Sequence, residues 1–130
     1  MNDQQIEQQI QDKGKTAARV TPGDIEANIA SEHYFTAQHG VDGAMADLQL
    51  HQRTADTDTA NCQATPVGAL GLLTFCVLVL RNGFTVTGNS ACASPENFDA
   101  EIGREIAREN AMEKIWPLMG YELRTKLVGA

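Results

Sequence analysis

The chain has 130 residues, a formal net charge of -7 and 42% hydrophobic residues. This length suits one domain, and the aromatic content of 5% indicates a core of small and aliphatic side chains. Non-specific binding to nucleic acid needs clustered Lys and Arg, so the acidic balance argues against it and leaves open an acidic mimic of nucleic acid. No apolar run of about 18 residues predicts a membrane span. The three cysteines form no Cys-x-x-Cys pair and no secretory leader is visible, which favours a reduced cytoplasmic compartment.

The beginning of the chain is polar and rich in Gln, with Ile6 and Ile10 as its main apolar side chains. Two such residues are too few to anchor a helix. We therefore expect residues 1–20 to form a flexible polar tail, or an arm that orders on a partner. Residues 21–130 are expected to form a single α+β domain.

The first helix is predicted after Thr21, because the Pro and Asp that follow are typical of a capped helix start. Ile25 and Ile29 are four residues apart, which extends the predicted helix over residues 22–32. The pattern then weakens. Residues 37–66 permit one short helix or strand and are otherwise expected to form a variable surface loop.

The strongest pattern in the chain predicts an antiparallel β-hairpin. Residues 72–80 form the only sustained apolar run, residues 84–89 alternate apolar and polar side chains, and Asn-Gly at residues 82–83 separates them. Asn-Gly is typical of a two-residue type I′ turn, because both central residues need positive φ. Such a turn places Val79 opposite Val86. The predicted core face of the hairpin contains Phe75, Val77, Val79, Phe84 and Val86.

The hairpin needs further cover, because an isolated pair of strands is marginally stable and its first strand is apolar on both sides. Residues 44–70 could supply a third strand. Alternatively, a second copy of the chain could cover the mixed face or the open edge. We therefore expect a homo-oligomer.

A long helix is predicted to begin at Ser94, which would act as the N-cap before a Pro at the first helical position. Its large apolar residues are Phe98, Ile102, Ile106, Met112 and Trp116, and the opposite side carries Ala100, Gly103, Ala107 and Ala111. Glu105 and Glu109 project among the large residues on an ideal helix. They are either semi-buried functional acids or, as we favour, exposed because the small side is the buried one.

The end of this helix is predicted at Trp116-Pro117, where proline ends or kinks it. A short closing helix is expected after the turn that follows. The predicted fold is therefore α+β, with an N-terminal helix, an antiparallel hairpin, a long C-terminal helix and a short closing helix. Whether a third strand joins the hairpin stays open.

Several motifs resemble those of a known family. They are the apolar run leading through Asn-Gly to Phe-Thr-Val-Thr-Gly at residues 72–88, Asn-Phe-Asp-Ala-Glu-Ile-Gly-Arg at 97–104, Lys-Ile-Trp-Pro-Leu-Met-Gly-Tyr at 114–121, and Glu-His-Tyr-Phe at 32–35. Together they resemble a small bacteriophage-encoded family, named for the forty-ninth gene product of a short-tailed coliphage and the sixty-sixth of a Shigella phage. The resemblance covers about residues 21–36 and 72–127. It implies a phage or prophage accessory protein of the bacterial cytoplasm and assigns no binding residues.

Residues capable of catalysis or metal binding are present without a characteristic spacing. His33, His39, His51 and the cysteines do not have metal-site spacing, so we expect no metal and no cofactor. Cys92 precedes the predicted helix start, where a thiolate is favoured, and His33 is a candidate base. A small hydrolase using Cys92 or the two helix carboxylates is therefore an alternative, but we expect no catalytic residues.

Anion binding has a clearer physical basis in the sequence than catalysis or metal binding. Residues 88–94 are small and lead into the predicted helix, whose free amides, dipole and neighbouring hydroxyls could bind a phosphate. Because no Walker-type or dinucleotide glycine pattern is present, an ordinary capped helix is the alternative. The candidate ligand-binding residues are Arg81, Thr87, Asn89, Ser90, Ser94, Asn97, Arg104 and Arg108.

The expected function is that of a non-enzymatic phage accessory protein. We expect an oligomeric binder of a phosphorylated or nucleotide-like small molecule that counters a host response. The alternative is an antagonist that binds a host protein directly through its sheet face or helix. No membrane partner is expected.

Overall fold

The computed structural model describes residues 2–15, 17–50 and 68–129. Its elements in chain order are α1 (Asp3–Asp12), α2 (Pro22–Ala27), β1 (Ile29–Thr36), α3 (Ala37–Leu50), β2 (Leu73–Leu80), β3 (Thr85–Ala91), α4 (Ala100–Glu113) and α5 (Ile115–Leu127). Short 3-10 turns precede β2 at Leu70–Leu72 and α4 at Pro95–Asn97. The predicted α+β class, with its N-terminal helix, hairpin, long C-terminal helix and closing helix, is confirmed.

The three described strands form one antiparallel sheet in the order β1-β2-β3, with β2 in the centre. α4 packs on one face of this sheet, across β2 and β3. The core lies between them and consists mainly of aliphatic and small residues. The fully buried or nearly buried members are Ile25, Cys76, Leu78, Leu80, Val86, Ala107, Ala111 and Ile115.

The third strand comes from a part of the chain that was predicted to be helical. Thr21 caps α2 as predicted, but α2 ends at Ala27 and the chain enters β1 at Ile29, so the helix predicted over residues 22–32 is wrong in its second half. The Arg81 N–H donates to the Asn28 carbonyl over 3.0 Å, which holds the end of α2 against the hairpin. The strand expected within residues 44–70 is not seen among the described ones: 44–50 lie in α3, and 51–67 lie outside the described residues.

The hairpin turn is one residue longer than the predicted type I′ turn. The Leu80 N–H donates to the Phe84 carbonyl over 2.8 Å, which leaves three residues in the loop, and Gly83 adopts a φ of 88°. A three-residue loop with glycine in the left-handed region is the next most common hairpin connection. As a result Leu78, rather than Val79, lies opposite Val86.

Because of this shift, the even-numbered residues of β2, and not the odd-numbered ones, share a face with Val86 of β3. The face against α4 carries Thr74, Cys76, Leu78, Leu80 and Val86. The predicted core face is therefore wrong, except at Val86. Phe75, Val77 and Val79 lie half-buried on the other side, which we call the open face, and Phe84 is 56% exposed.

α4 begins at Ala100 rather than after Ser94. The Asp99 carboxylate caps it, because Asp99 Oδ1 accepts the N–H groups of Glu101 and Ile102 over 2.9 and 3.1 Å. Ser94 instead precedes the 3-10 turn, and its hydroxyl donates to Glu96 over 2.6 Å. The predicted N-cap at Ser94 is wrong because a charged capping group five residues later serves the longer helix.

The small side of α4 is the buried side. Gly103, Ala107 and Ala111 face the sheet, whereas Ile102 and Ile106 are 54% and 42% exposed. The favoured alternative for the two helix acids is confirmed, since Glu105 and Glu109 are both exposed.

The predicted break in the long helix exists, but it lies at Lys114, and Trp116-Pro117 and the turn expected after them are inside α5. α4 ends at Glu113 and α5 begins at Ile115, whose side chain is fully buried. Pro117 lies in the first turn of α5, where a backbone N–H has no partner within the helix and its absence costs little.

The predicted polar tail contains a helix. α1 has no buried residue and is held at its edges: Arg19 donates two hydrogen bonds of 2.6 Å to Glu7, and Trp116 Nε1 donates to Asp3 over 3.2 Å. The hydrogen bonds from Arg19 lower the pKa of Glu7 to about 2. The flexibility of residues 1–20 stays a prediction, and α3 occupies the first part of the predicted loop at residues 37–66.

Candidate functional site

Two adjoining cavities form a cleft where the sheet meets the first turns of α4. The larger has a volume of about 380 Å³ and the smaller about 150 Å³, and Thr74 and Phe98 line both. The larger cavity is also lined by Tyr34, Phe35, Thr36, Gln38, His39, Gly71, Ala100 and Arg104. We call the two cavities together the α4 cleft.

Thr74 is the polar residue at the base of the α4 cleft. It is only 4% exposed and lies on the helix-facing side of β2, beside Gly103. Among the described residues its hydroxyl makes no hydrogen bond, and it is not a fully buried unpaired group. Because Thr74 lines both cavities, this hydroxyl is a donor and acceptor available to a molecule in the cleft.

The larger cavity combines aromatic surface with hydrogen-bond donors. Tyr34 and Phe98 are aromatic residues of its lining, and Arg104 contributes a guanidinium that makes no ion pair with any described residue. The Phe35 ring instead stacks on Phe75, with ring centroids 5.5 Å apart. His39 Nδ1 accepts the Thr36 N–H over 3.1 Å, so in the neutral imidazole the proton lies on Nε2. A flat ring carrying an anionic group fits such a lining, since phenyl rings stack and guanidinium binds oxyanions.

The smaller cavity contains part of the predicted phosphate site. Ser90, Cys92 and Asn97 line it together with Asp99. Because the Asp99 carboxylate already caps α4, an anion placed at this helix start would face a negative charge. A phosphate site at residues 88–94 stays a prediction, and the cation of the cleft lies in the larger cavity.

The predicted ligand-binding residues do not lie together in the structure. Ser90, Asn97 and Arg104 line the α4 cleft. The remaining five lie elsewhere, with Thr87 and Asn89 exposed on β3, Ser94 bonded to Glu96, Arg81 donating to the Ala27 carbonyl, and Arg108 bonded to Glu26 and Glu32. The selection of the eight site residues stays a prediction.

Arg108 forms a polar cluster that joins α4 to α2 and β1. Its guanidinium donates to Glu26 over 2.9 and 3.1 Å and to Glu32 over 3.0 and 3.1 Å, while the Tyr34 hydroxyl donates to Glu32 over 2.6 Å. The bonds from Arg108 and Tyr34 lower the pKa of Glu32, and burial, together with the bond to Glu32, raises the pKa of Tyr34. Arg108 is therefore a structural cation.

The residues considered for catalysis are not brought together. The Cys92 thiol donates to the Ser94 carbonyl over 3.1 Å, and His33 lies on β1, separated from β3 by the central strand. No group of three or more His, Cys, Asp and Glu within the described residues could hold a metal ion. In the same part of the chain no helix has the length and apolar character to cross a membrane.

The fold and the cleft define a small two-layer α+β protein with a pocket between its sheet and its main helix. The chain belongs to the N4 Gp49/phage Sf6 gene 66 family of phage proteins, whose family model matches residues 20–127. The predicted resemblance is thereby confirmed, and the match includes every element except α1. The comparison with curated proteins and the comparison with solved structures each gave no match.

Proposed function

We propose that this phage protein is a non-enzymatic accessory protein that binds a small phosphorylated or nucleotide-like molecule in the α4 cleft and so counters a host response. The observation that carries the proposal is the larger cavity, a space of about 380 Å³ that is lined by aromatic residues together with Arg104 and Thr74. Sequestration of a ligand requires binding alone, so it needs no catalytic constellation.

The size and charge of the cavity support a small anionic ligand. Small-molecule sites commonly have volumes of about 300–1,000 Å³, mostly apolar linings and a few polar groups that orient the ligand. Arg104 is the only Lys or Arg that lines this cavity among the described residues. It therefore offers one strong point of attachment for a phosphate, and the rings offer surface for a base.

An oligomer is part of this proposal. β2 is central in the sheet, and its residues Phe75, Val77 and Val79 remain half-buried on the open face, away from α4. Each outer strand of the three-stranded sheet also has one edge that no other described strand pairs with. A second copy would cover apolar surface or backbone groups that a single described chain leaves accessible.

The first test is a thermal-shift screen against mononucleotides, cyclic and linear dinucleotides and sugar phosphates, followed by calorimetry on the compounds that stabilise the protein. We expect Arg104→Gln to weaken binding of such a compound at least about tenfold, because a charge-assisted hydrogen bond contributes roughly 1.5–3 kcal/mol. Arg124→Gln makes the same charge change on exposed α5 surface and should leave the affinity unchanged. Failure of every compound to stabilise the protein, or equal affinities of both variants, would refute the proposal.

A second candidate function is antagonism of a host protein through the outer side of α4. Ile102 and Ile106 are exposed on this side, one turn apart. If this surface binds the partner, an Ile102→Ser/Ile106→Ser variant should lose a partner captured from host lysate while keeping the melting temperature. Leu127→Ser alters a residue that is 57% exposed at the end of α5 and should retain the partner. Equal capture by both variants would reject this candidate.

A further inference from the structure

The outer edge of β1 carries backbone groups that have no partner among the described residues. β2 bonds to β3 through its even-numbered residues, as shown by the bonds between Leu80 and Phe84 and between Cys92 and Leu72. Since successive residues of a central strand bond alternately to its two neighbours, the odd-numbered residues of β2 bond to β1. Their partners include His33, opposite Val77. The backbone groups of Glu32 and Tyr34 therefore point away from the sheet.

One end of this edge is already closed within the chain. The Thr36 N–H, which has the same orientation as those of Glu32 and Tyr34, donates to His39 Nδ1 over 3.1 Å. At the other end, a register shift between Ile29 and Ser31 interrupts the ladder. The accessible edge is therefore short and centred on His33.

Three two-fold registers could pair this edge with the edge of a second copy. Opposing Glu32 with Glu32 places two carboxylates side by side, which is destabilising. Opposing Tyr34 with Tyr34 pairs Glu32 with Thr36, whose N–H is already used by His39. Opposing Glu32 with Tyr34 uses the free positions of both copies, brings no like charges together and places His33 on the two-fold axis.

We propose that two copies of the chain associate through the β1 edge in this third register, which joins their sheets into one antiparallel six-stranded sheet. The proposal rests on the oligomeric part of the proposed function and specifies its interface. Each of the two equivalent pairs contributes two backbone hydrogen bonds, in the manner of strand addition at a sheet edge.

The position of α4 makes β1 the accessible edge. α4 packs over β2 and β3, and Asn110 on α4 donates its side-chain amide to the Asn89 carbonyl over 2.8 Å, so one outward carbonyl of β3 is already bonded. The side chains of Glu32 and Tyr34 turn towards α4 and bond to each other over 2.6 Å. The β1 edge is therefore the better match for a second β1.

The interface can be tested with two matched cysteine variants. His33 and Thr87 are both exposed, both lie on the open face, and flank Val77 in the same row on opposite edges of the sheet. In the proposed register, residue 33 faces its own copy across a non-hydrogen-bonded pair, where Cα atoms lie about 4.5 Å apart, within the range of a disulfide. With oxidised glutathione at micromolar protein concentration, His33→Cys should form a covalent dimer and Thr87→Cys should not.

A second pair of variants measures the association itself. His33→Asp places two carboxylates on the axis and should raise the dimer dissociation constant at least about tenfold, as measured by light scattering over a dilution series. Thr87→Asp should associate like the unmodified protein. Circular dichroism of both variants verifies that the fold is retained.

The possible outcomes separate this interface from the ligand site. If the unmodified protein is oligomeric but His33→Cys does not cross-link and His33→Asp keeps the same mass, the β1 interface is wrong and the oligomer stands. Cross-linking of Thr87→Cys instead would also overturn it, in favour of the other edge. A monomer at every concentration would overturn both the interface and the oligomer, whereas ligand binding in the α4 cleft is decided independently by calorimetry.

Discussion

Gly88→Ala is expected to lower the free energy of unfolding by about 3 kcal/mol, near the upper end of the usual cost of inserting a methyl group into a packed core. A Cβ on Gly88 would overlap the Ala107 carbonyl oxygen and the Ala111 nitrogen, both of which are backbone atoms of α4. Backbone of a helix cannot yield as a flexible side chain does. The methyl group would therefore push α4 away from β3 and open the core around Ala107 and Ala111.

Urea denaturation followed by circular dichroism measures this loss, and Gly120→Ala provides the matched control. A Cβ on Gly120, in the exposed part of α5, meets no atom within 4 Å. Because alanine is favoured over glycine inside helices by roughly 1 kcal/mol, the control should be neutral or slightly stabilising. A Gly88→Ala protein as stable as Gly120→Ala would show that α4 does not approach β3 so closely.

The hairpin could be predicted from the sequence, but its register and its buried face could not. The apolar run and Asn-Gly identify two antiparallel strands, and the structure has both. However, β2 is apolar on both faces, so its alternation does not determine which face is buried. The decision is made by Gly88 on β3 and by the small residues Gly103 and Ala107 on α4, which fit together only if the even-numbered residues of β2 face inwards.

The helix boundaries were harder to predict, because competing local signals lie close together in the sequence. Ser94-Pro95 and Asp99 are both good helix starts, and only the packing of α4 on the sheet shows that the second begins the long helix. Likewise the spacing of Ile25 and Ile29 suits a helix. However, the edge of β2 pairs with a further strand, and Ile29 is the first residue of that strand, β1. In both cases a non-local contact overrides a valid local pattern.

The composition of the candidate site was even harder to predict from the sequence than the helix boundaries. Arg104 was among the predicted ligand residues, but the lining residues Tyr34, Thr74 and Phe98 come from three distant parts of the chain. No spacing in the sequence connects them. Arg108 was also among the predicted ligand residues, yet its two carboxylate partners precede it by more than 70 residues.

Arg108→Met is expected to lower the free energy of unfolding by about 2 kcal/mol at pH 7. The Arg108 side chain is 26% exposed, and those of Glu26 and Glu32 are 52% and 35% exposed. These pairs therefore lie between exposed ion pairs, which contribute at most about 1 kcal/mol, and buried ones, whose disruption costs about 3–5 kcal/mol. Methionine retains the apolar stem of the side chain. The variant therefore tests the loss of the charge and of its hydrogen bonds.

The pH dependence identifies the group responsible. Hydrogen bonds from Arg108 lower the pKa of Glu32 in the folded protein, so this carboxylate stabilises the fold above its unfolded pKa of about 4.3. That contribution is lost as the pH falls through the folded-state pKa of Glu32. Urea denaturation at several pH values should therefore show the difference between the unmodified protein and Arg108→Met shrinking below about pH 4.

Arg104→Met is the matched control, since Arg104 lies one turn earlier on α4, is exposed and makes no ion pair with a described residue. It should change stability by less than about 0.5 kcal/mol and keep the pH dependence of the unmodified protein. If Arg108→Met is as stable as Arg104→Met at pH 7, the cluster does not hold α4 against α2 and β1. If it is less stable but the deficit is the same at pH 3 as at pH 7, then packing of the arginine stem, and not its pairing with Glu32, stabilises this junction.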